Sequence, residues 1–241
     1  MKILILGGTA EARQLANLLV AEGHEVITSL AGRTQDPILP AGGLRMGPFG
    51  GVPGLCAYLR AAGIERLVDA THPYAGQMSA HAVAAANHTG LALVRYMRPP
   101  WQPLPGQNWT QVSNAQEAAD SLRPGANVLL TTGHTGLETF LERDDCHFVV
   151  RVIAAPAFAL PRHAELIETR PPYGLGDEVA LMRRHSITDL ISKNSGGTQT
   201  VAKLEAARQL GIKVIMLARP HYGPAREVAS VAAAMAALDL Q

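Results

Sequence analysis

Short apolar runs alternate along the whole chain with alanine-rich stretches of helical spacing. The runs lie at Ile3–Leu6, Val26–Ile27, Leu67–Val68, Leu91–Val94, Val128–Leu130, Phe148–Ile153, Leu190–Ile191 and Val214–Leu217. Within them apolar and polar positions do not alternate. Each run therefore reads as a strand buried on both faces of a parallel sheet. Between runs, residues 11–20 place Leu15, Leu18 and Leu19 at helical spacing, and residues 77–87 are rich in alanine. Gly23, Gly63 and Gly211 follow such stretches and fit C-terminal helix stops. The pattern predicts an α/β fold with mostly parallel sheets.

The alternation breaks once. Residues 98–106 read Arg-Pro-Pro-Trp-Gln-Pro-Leu-Pro-Gly. Proline lacks the N–H that a helix interior or a central strand needs, so this segment holds neither. Alternation resumes after it. Two lobes are expected, residues 1–97 and 110–241, joined by a Pro-rich connection at 98–109. A second proline cluster, Arg170-Pro171-Pro172-Tyr173-Gly174, reads as a loop inside the second lobe.

Composition narrows the function classes. With 241 residues and 47% hydrophobic content the chain can bury a sizeable core. Lys+Arg 21 against Asp+Glu 20 leaves a formal charge of +1, and aromatics are only 5%. Neither a nucleic-acid surface nor a base-stacking platform fits that balance. Cys56 and Cys146 form no C-x-x-C pair, which suits reduced thiols in a cytosolic protein. The N-terminus is apolar only from Ile3 to Leu6, and no run approaches the ~20 residues of a membrane span. A cytoplasmic location without membrane contact is expected, and no metal site is.

The chemistry concentrates where strands end. Gly7-Gly8-Thr9-Ala10-Glu11-Ala12 joins the first strand to the first helix. Glycine lets the backbone approach a pyrophosphate there, and the helix N-terminus offsets its charge. The G-x-G-x-x-G fingerprint is not met, since Thr9 and Ala12 replace the later glycines. Ala12 still permits close helix packing, and the Thr9 hydroxyl suits a phosphate. The competing reading is a tight turn with a Thr9 cap and Glu11 complementing the helix dipole. After the second strand comes Arg33, flanked by Ser29 and Thr34, where NAD enzymes carry an acid and NADP enzymes a cation. A solvated loop arginine is the alternative.

Asp69-Ala70-Thr71-His72-Pro73-Tyr74-Ala75 follows another strand, at the sheet edge where α/β proteins bind ligands. Thr71 is placed to touch a cofactor, and His72 and Tyr74 to bind substrate or donate a proton. In the second lobe, Thr131-Thr132-Gly133-His134 and Lys193-Asn194-Ser195-Gly196-Gly197 occupy equivalent turns. Their N–H groups, hydroxyls and cation suit a carboxylate or phosphate, with Arg219 at the end of the last long strand. For Lys193–Gly197 three roles stay open: gripping the substrate, capping the cofactor, or a structural turn. No Walker motif, H-E-x-x-H, G-x-S-x-G or Tyr-x-x-x-Lys pattern is present.

The blocks at residues 5–13, 69–75 and 191–197, with Lys203–Arg208 and Arg219-Pro220, resemble the precorrin-6A and cobalt-precorrin-6A reductase family of cobalamin biosynthesis. The resemblance spans nearly the whole chain in the same order. It implies two Rossmann-like lobes with a ligand cleft between them. It also implies NADPH as cofactor and reduction of a macrocyclic C=C bond, giving precorrin-6B. On that reading Gly7, Gly8, Thr9, Glu11, Ala12, Arg33 and Thr71 hold the cofactor. Tyr74 and His72 are the catalytic candidates. Thr132, Gly133, Lys193, Asn194, Ser195, Gly196, Gly197 and Arg219 meet the tetrapyrrole's carboxylates. Transient contact with neighbouring pathway enzymes is a further expectation. Two other classes remain open: an NADP-binding regulatory module without chemistry, and a synthase or transferase on an anionic small molecule with no redox cofactor.

Overall fold

The computed structural model describes residues 1–32 and 38–238. Arg33, expected to read the cofactor's 2′-phosphate, lies outside the described residues. The chain divides into two compact units, one of Met1–Pro99 with Pro220–Gln241 and one of Pro100–Arg219.

The first unit runs β1 (Lys2–Leu6), α1 (Ala10–Ala21), β2 (Glu25–Leu30), β3 (Gly43–Met46), α2 (Gly51–Ala61), β4 (Arg66–Asp69), α3 (Gly76–Thr89) and β5 (Leu93–Tyr96). The second holds β6 (Trp109–Val112), α4 (Ala115–Asp120), β7 (Asn127–Thr131), α5 (Leu137–Leu141), β8 (His147–Val152) and β9 (Ala164–Glu168). It continues with α6 (Leu175–Arg184), β10 (Asp189–Lys193), α7 (Ala202–Leu210) and β11 (Lys213–Leu217). The chain then returns to the first unit with β12 (Arg226–Val228) and α8 (Val231–Ala237).

Each unit is built on a six-stranded sheet whose described pairings are all parallel. The first has the order β12-β5-β4-β1-β2-β3, the second β6-β11-β10-β7-β8-β9. The continuous apolar runs are explained by burial on both faces. Ile3 and Ile5 of β1 pack with Leu15, Ala16 and Leu19 of α1 and with Ala234 and Ala237 of α8. Leu4 and Leu6, pointing the other way, pack with Leu55 and Leu59 of α2 and Ala82 and Ala85 of α3. In the second unit Leu129, Leu190, Val214 and Met216 meet Met182 of α6 and Leu204 and Ala207 of α7. Fully burying each large apolar side chain contributes about 1.5–3 kcal/mol.

The C-terminal residues were expected in the second domain, and the structure corrects that boundary. From Pro220 they belong to the first unit, where β12 extends the sheet beside β5 and α8 packs against α1 and β5. The physical reason is the unfilled flank of the first sheet. Beyond β5 the sheet takes one more parallel strand, and α8 covers Ile3 and Ile5 together with α1. The Pro-rich connection also differs from a plain linker, because Trp101 packs against the second unit's core.

Both sheets have one topological switch point. In the first, successive strands leave β1 toward β2 on one side and β4 on the other. In the second, β8 follows β7 on one side and β10 lies on the other. The crevice outside the carboxyl ends of strands at such a point is where open α/β sheets bind ligands.

Candidate functional site

At the first switch point the ends of β1 and β4 carry Gly7–Ala12 and Ala70–Ala75. Gly7 is required by space: a Cβ there would stand 2.8 Å from Thr28 Cγ2 on β2. Gly8 is required by backbone, with φ +110°, and a Cβ on it would meet nothing within 4 Å. Its face is open to a ligand. Thr9 caps α1, accepting from the Ala12 N–H at 3.1 Å and donating its hydroxyl to the Ala70 carbonyl at 3.0 Å. The cap reading of Thr9 is therefore realised, and its hydroxyl proton ties the two loops together. Ala12 is buried in the core beneath the turn. Glu11, in the first turn of α1, pairs with Arg98 at 3.2 Å. Thr9, Glu11, Thr71, Pro73, Tyr96 and Arg98 line one shallow recess. Burial, then the Glu11 charge, raises the Tyr96 phenol above its ordinary pKa.

The Thr71–Ala75 loop is fixed from below. Asp69 and Arg95 are each 1% exposed, and the Arg95 Nε donates to Asp69 Oδ2 at 3.2 Å. Asp69 Oδ1 accepts from both the backbone N–H and the hydroxyl of Thr71, at 3.2 and 2.7 Å. Arg95 also donates to the Gly223 carbonyl at 2.9 Å and to Glu227 at 3.1 Å. The Tyr222 hydroxyl donates to the Pro73 carbonyl. The returning C-terminal chain thus clamps the loop. Within it, His72 Nδ1 accepts from the Tyr74 N–H at 3.2 Å, which assigns the neutral ring's proton to Nε2. The His72 and Tyr74 rings lie 5.9 Å apart.

At the second switch point Thr132 and Gly133 follow β7, and Lys193–Gly197 follow β10. Thr132 is fully buried, and the Thr131 hydroxyl donates to the Ile191 carbonyl at 3.0 Å, joining the two strand ends. Lys193 is partly buried, and desolvation pulls its ammonium down to about 8. Gly196 and Gly197 take φ values of +67° and +76°, which fit glycine and strain other residues. The Asn194 side chain uses both ends of its amide on Trp101. Oδ1 accepts from the Trp101 N–H at 2.7 Å, and Nδ2 donates to the Trp101 carbonyl at 3.0 Å. The Trp101 indole N–H donates to the Gly197 carbonyl at 2.9 Å. Arg219 Nε donates to the Asn194 carbonyl at 2.8 Å. Asn194 and Arg219, expected to face a ligand, therefore also shape the loop itself.

The described predicted residues thus fall at two places, one per unit. Sequence reasoning missed the groups that support them: Arg95, Arg98, Trp101 and Lys203. Arg98 and Trp101 sit in a proline-dense stretch whose composition signals only a break in regular structure. Arg95 sits in a four-residue strand, and its buried partner Asp69 is the first residue of the D-A-T-H-P-Y block. That acid at a strand's end was the available signal.

The family model for precorrin-6x reductase CbiJ/CobK matches residues 2–239. A precorrin-6A reductase of Rhodococcus erythropolis is 47% identical over 238 residues, covering 98% of this chain and 96% of the relative. One from Mycobacterium tuberculosis is 46% identical over 222 residues, covering 91% and 89%. A solved structure of CobK precorrin-6A reductase superposes with a TM-score of 0.93 at 39% identity, covering 98% of this chain and 95% of that one.

Proposed function

The chain belongs to the precorrin-6x reductase family, and on that premise we propose that it reduces precorrin-6A to precorrin-6B with NADPH, the cofactor held at the first switch point and the tetrapyrrole at the second. The family makes it an oxidoreductase acting on a C=C bond. The observation that carries the cofactor assignment is the open face over Gly8 beside the Thr9–Ala70 tie. That cradle fits a pyrophosphate: the glycines leave room for it, and the N-terminus of α1, a helix of 12 residues, favours its charge.

When bound, NADPH supplies a hydride to one ring carbon, and the neighbouring carbon takes a proton. Gly7 and Gly8 admit the diphosphate, and Glu11, paired to Arg98, stays neutralised next to it. Thr71 is oriented by Asp69 toward the same recess. His72, with its proton on Nε2, and Tyr74 are the groups we assign to the substrate side and to proton delivery. In the second unit Lys193 and the glycines of its loop meet peripheral carboxylates, while Thr132 and Gly133 close the turn beside it. Arg33 is assigned to the 2′-phosphate. Two free buried cysteines suit the reducing cytoplasm, where we place the protein.

A titration with NADPH and with NADH, followed by nicotinamide fluorescence and then by precorrin-6A-dependent oxidation, tests this reading. NADPH should bind more tightly and be consumed. Arg33→Ala should weaken NADPH by roughly 1.5–3 kcal/mol and leave NADH nearly unchanged. Absence of NADPH binding, or equal loss for both cofactors, would remove the cofactor assignment or that of Arg33 respectively.

A further inference from the structure

The second sheet carries a cavity of about 230 Å³ at its amino edge. It lies where β7, β8 and β9 begin, at Asn127, His147 and Ala164. Open α/β sheets bind their usual ligands at the opposite, carboxyl ends of the strands. The cavity therefore belongs to neither switch point. The buried Phe148 and Val149 of β8 line it, together with five ionisable side chains: His147, Arg162, His163, Glu165 and His185.

Local pairing brings these groups together. β8 and β9 run parallel with Phe148 opposite Ala164, and the Phe148 N–H donates to the His163 carbonyl at 2.9 Å. His147 thus lies beside Arg162 and His163. His185 caps the end of α6, and its Nδ1 lies 3.4 Å from Glu165 Oε2 on β9. Among the described residues no three His, Cys, Asp or Glu side chains are placed to hold one metal ion.

The hydrogen-bond roles follow from the neighbours. His163 Nε2 lies 3.0 Å from the Leu141 carbonyl, so the neutral ring carries its proton there and leaves Nδ1 as an acceptor. The Glu165 carboxylate draws the proton of the neutral His185 ring to Nδ1 and leaves Nε2 as an acceptor. The Arg162 guanidinium and the His147 ring have no ion pair or hydrogen bond among the described residues. Arg162 offers a fork of donors, and His147 an imidazole N–H. The cavity thus combines a cation and donors with acceptors, one of them a carboxylate.

We propose that this cavity is a separate site for inorganic phosphate, selected over sulfate by its remaining proton. Hydrogenphosphate has acceptor oxygens and an O–H. Its oxygens accept from Arg162 and His147, and its O–H donates to Glu165 or to a bare imidazole nitrogen. Sulfate has no O–H near neutral pH, so it meets the Glu165 carboxylate as one bare anion meets another. A phosphate monoester above its second pKa of about 6 lacks the O–H as well. The volume is several times the ~30 Å³ share of one water, and it falls short of the ~300 Å³ at which pockets for larger ligands begin. The proposal uses none of the residues assigned to cofactor or substrate, and it stands or falls apart from them.

Histidine ring ¹H–¹³C spectra of the full chain test it. Sodium phosphate, sodium sulfate and glycerol phosphate are titrated at about pH 7.5 and constant ionic strength, so that screening does not differ between them. Phosphate should shift the His147, His163 and His185 signals saturably, with a Kd of about 1 mM or below. Sulfate and glycerol phosphate should each bind at least about tenfold more weakly. Arg162→Ala should weaken phosphate about tenfold through loss of the charged fork. Glu165→Gln replaces a carboxylate with an amide that also donates, so sulfate affinity should rise toward that of phosphate. Arg162 and Glu165 are exposed, so the melting temperature and NADPH affinity should hold in both variants. Phosphate shifts that stay linear to about 20 mM, or that persist unweakened in Arg162→Ala, would overturn the site. Equal binding of sulfate or glycerol phosphate by the parent would overturn the selection by the proton.

Discussion

The two switch points share a topology and differ in how they treat charge. At the first, Asp69 pairs with Arg95, Arg95 with Glu227, and Glu11 with Arg98. The open face there is backbone, at Gly8. At the second, Lys203 is buried and Lys193 partly buried, and desolvation pulls their ammonium groups down to about 7 and about 8. A neutralised glycine cradle suits a diphosphate, whose charge is met by N–H groups and a helix dipole. Desolvated lysines suit isolated carboxylates, each met by a point charge. On the proposed reading, one fold plan serves two kinds of anion by changing which side chains stand beneath the loops.

That contrast can be broken at its supports, and the largest effect is expected at Asp69. Asp69→Ala strands Arg95, 1% exposed, without its buried acid. Breaking a buried pair in this way costs about 3–5 kcal/mol. It should also free Thr71, since both Thr71 bonds to Asp69 are lost. Urea unfolding and hydrogen exchange across residues 69–75 check this, and an unchanged midpoint would show that the pair is not what holds the loop. A smaller effect is expected at Trp101. Trp101→Phe keeps the ring near Lys203 but loses the 2.9 Å bond to the Gly197 carbonyl. Precorrin-6A KM should rise by the equivalent of about 0.5–1.5 kcal/mol, with NADPH affinity unmoved. A change in NADPH affinity instead would mean that Trp101 serves the other site.

The central strands were legible because their runs are buried on both faces, as with Ile3–Leu6 and Val214–Leu217. The edge strands were not. Gly43–Met46 is largely exposed, Ala164–Glu168 sets Leu166 and Ile167 between the exposed Glu165 and Glu168, and Arg226–Val228 spans three residues. None forms an apolar run longer than two residues. The return of the chain at Pro220 was also unread, because β12 pairs with β5 across more than a hundred residues and nothing local signals it. The glycine turn, the D-A-T-H-P-Y block and the K-N-S-G-G loop were legible, since glycine and strand-end placement mark them in sequence. Their supports were not. That Trp101 docks beneath the loop, and that Lys203 is buried, depends on tertiary packing that helical spacing alone does not resolve.

The division of labour between the two switch points is tested most directly by titrating Gly8→Ala and Lys193→Ala with NADPH and, separately, with precorrin-6A. A Cβ at Gly8 meets no protein atom but stands in the open face and resists φ +110°. Gly8→Ala should therefore weaken NADPH by roughly tenfold and leave precorrin-6A affinity within about twofold. Lys193→Ala should do the reverse, weakening precorrin-6A by the roughly 1.5–3 kcal/mol of a charge-assisted contact, most at low salt, while NADPH affinity stays put. Loss of NADPH binding in Lys193→Ala with precorrin-6A binding intact would contradict the account and give the second loop to the cofactor.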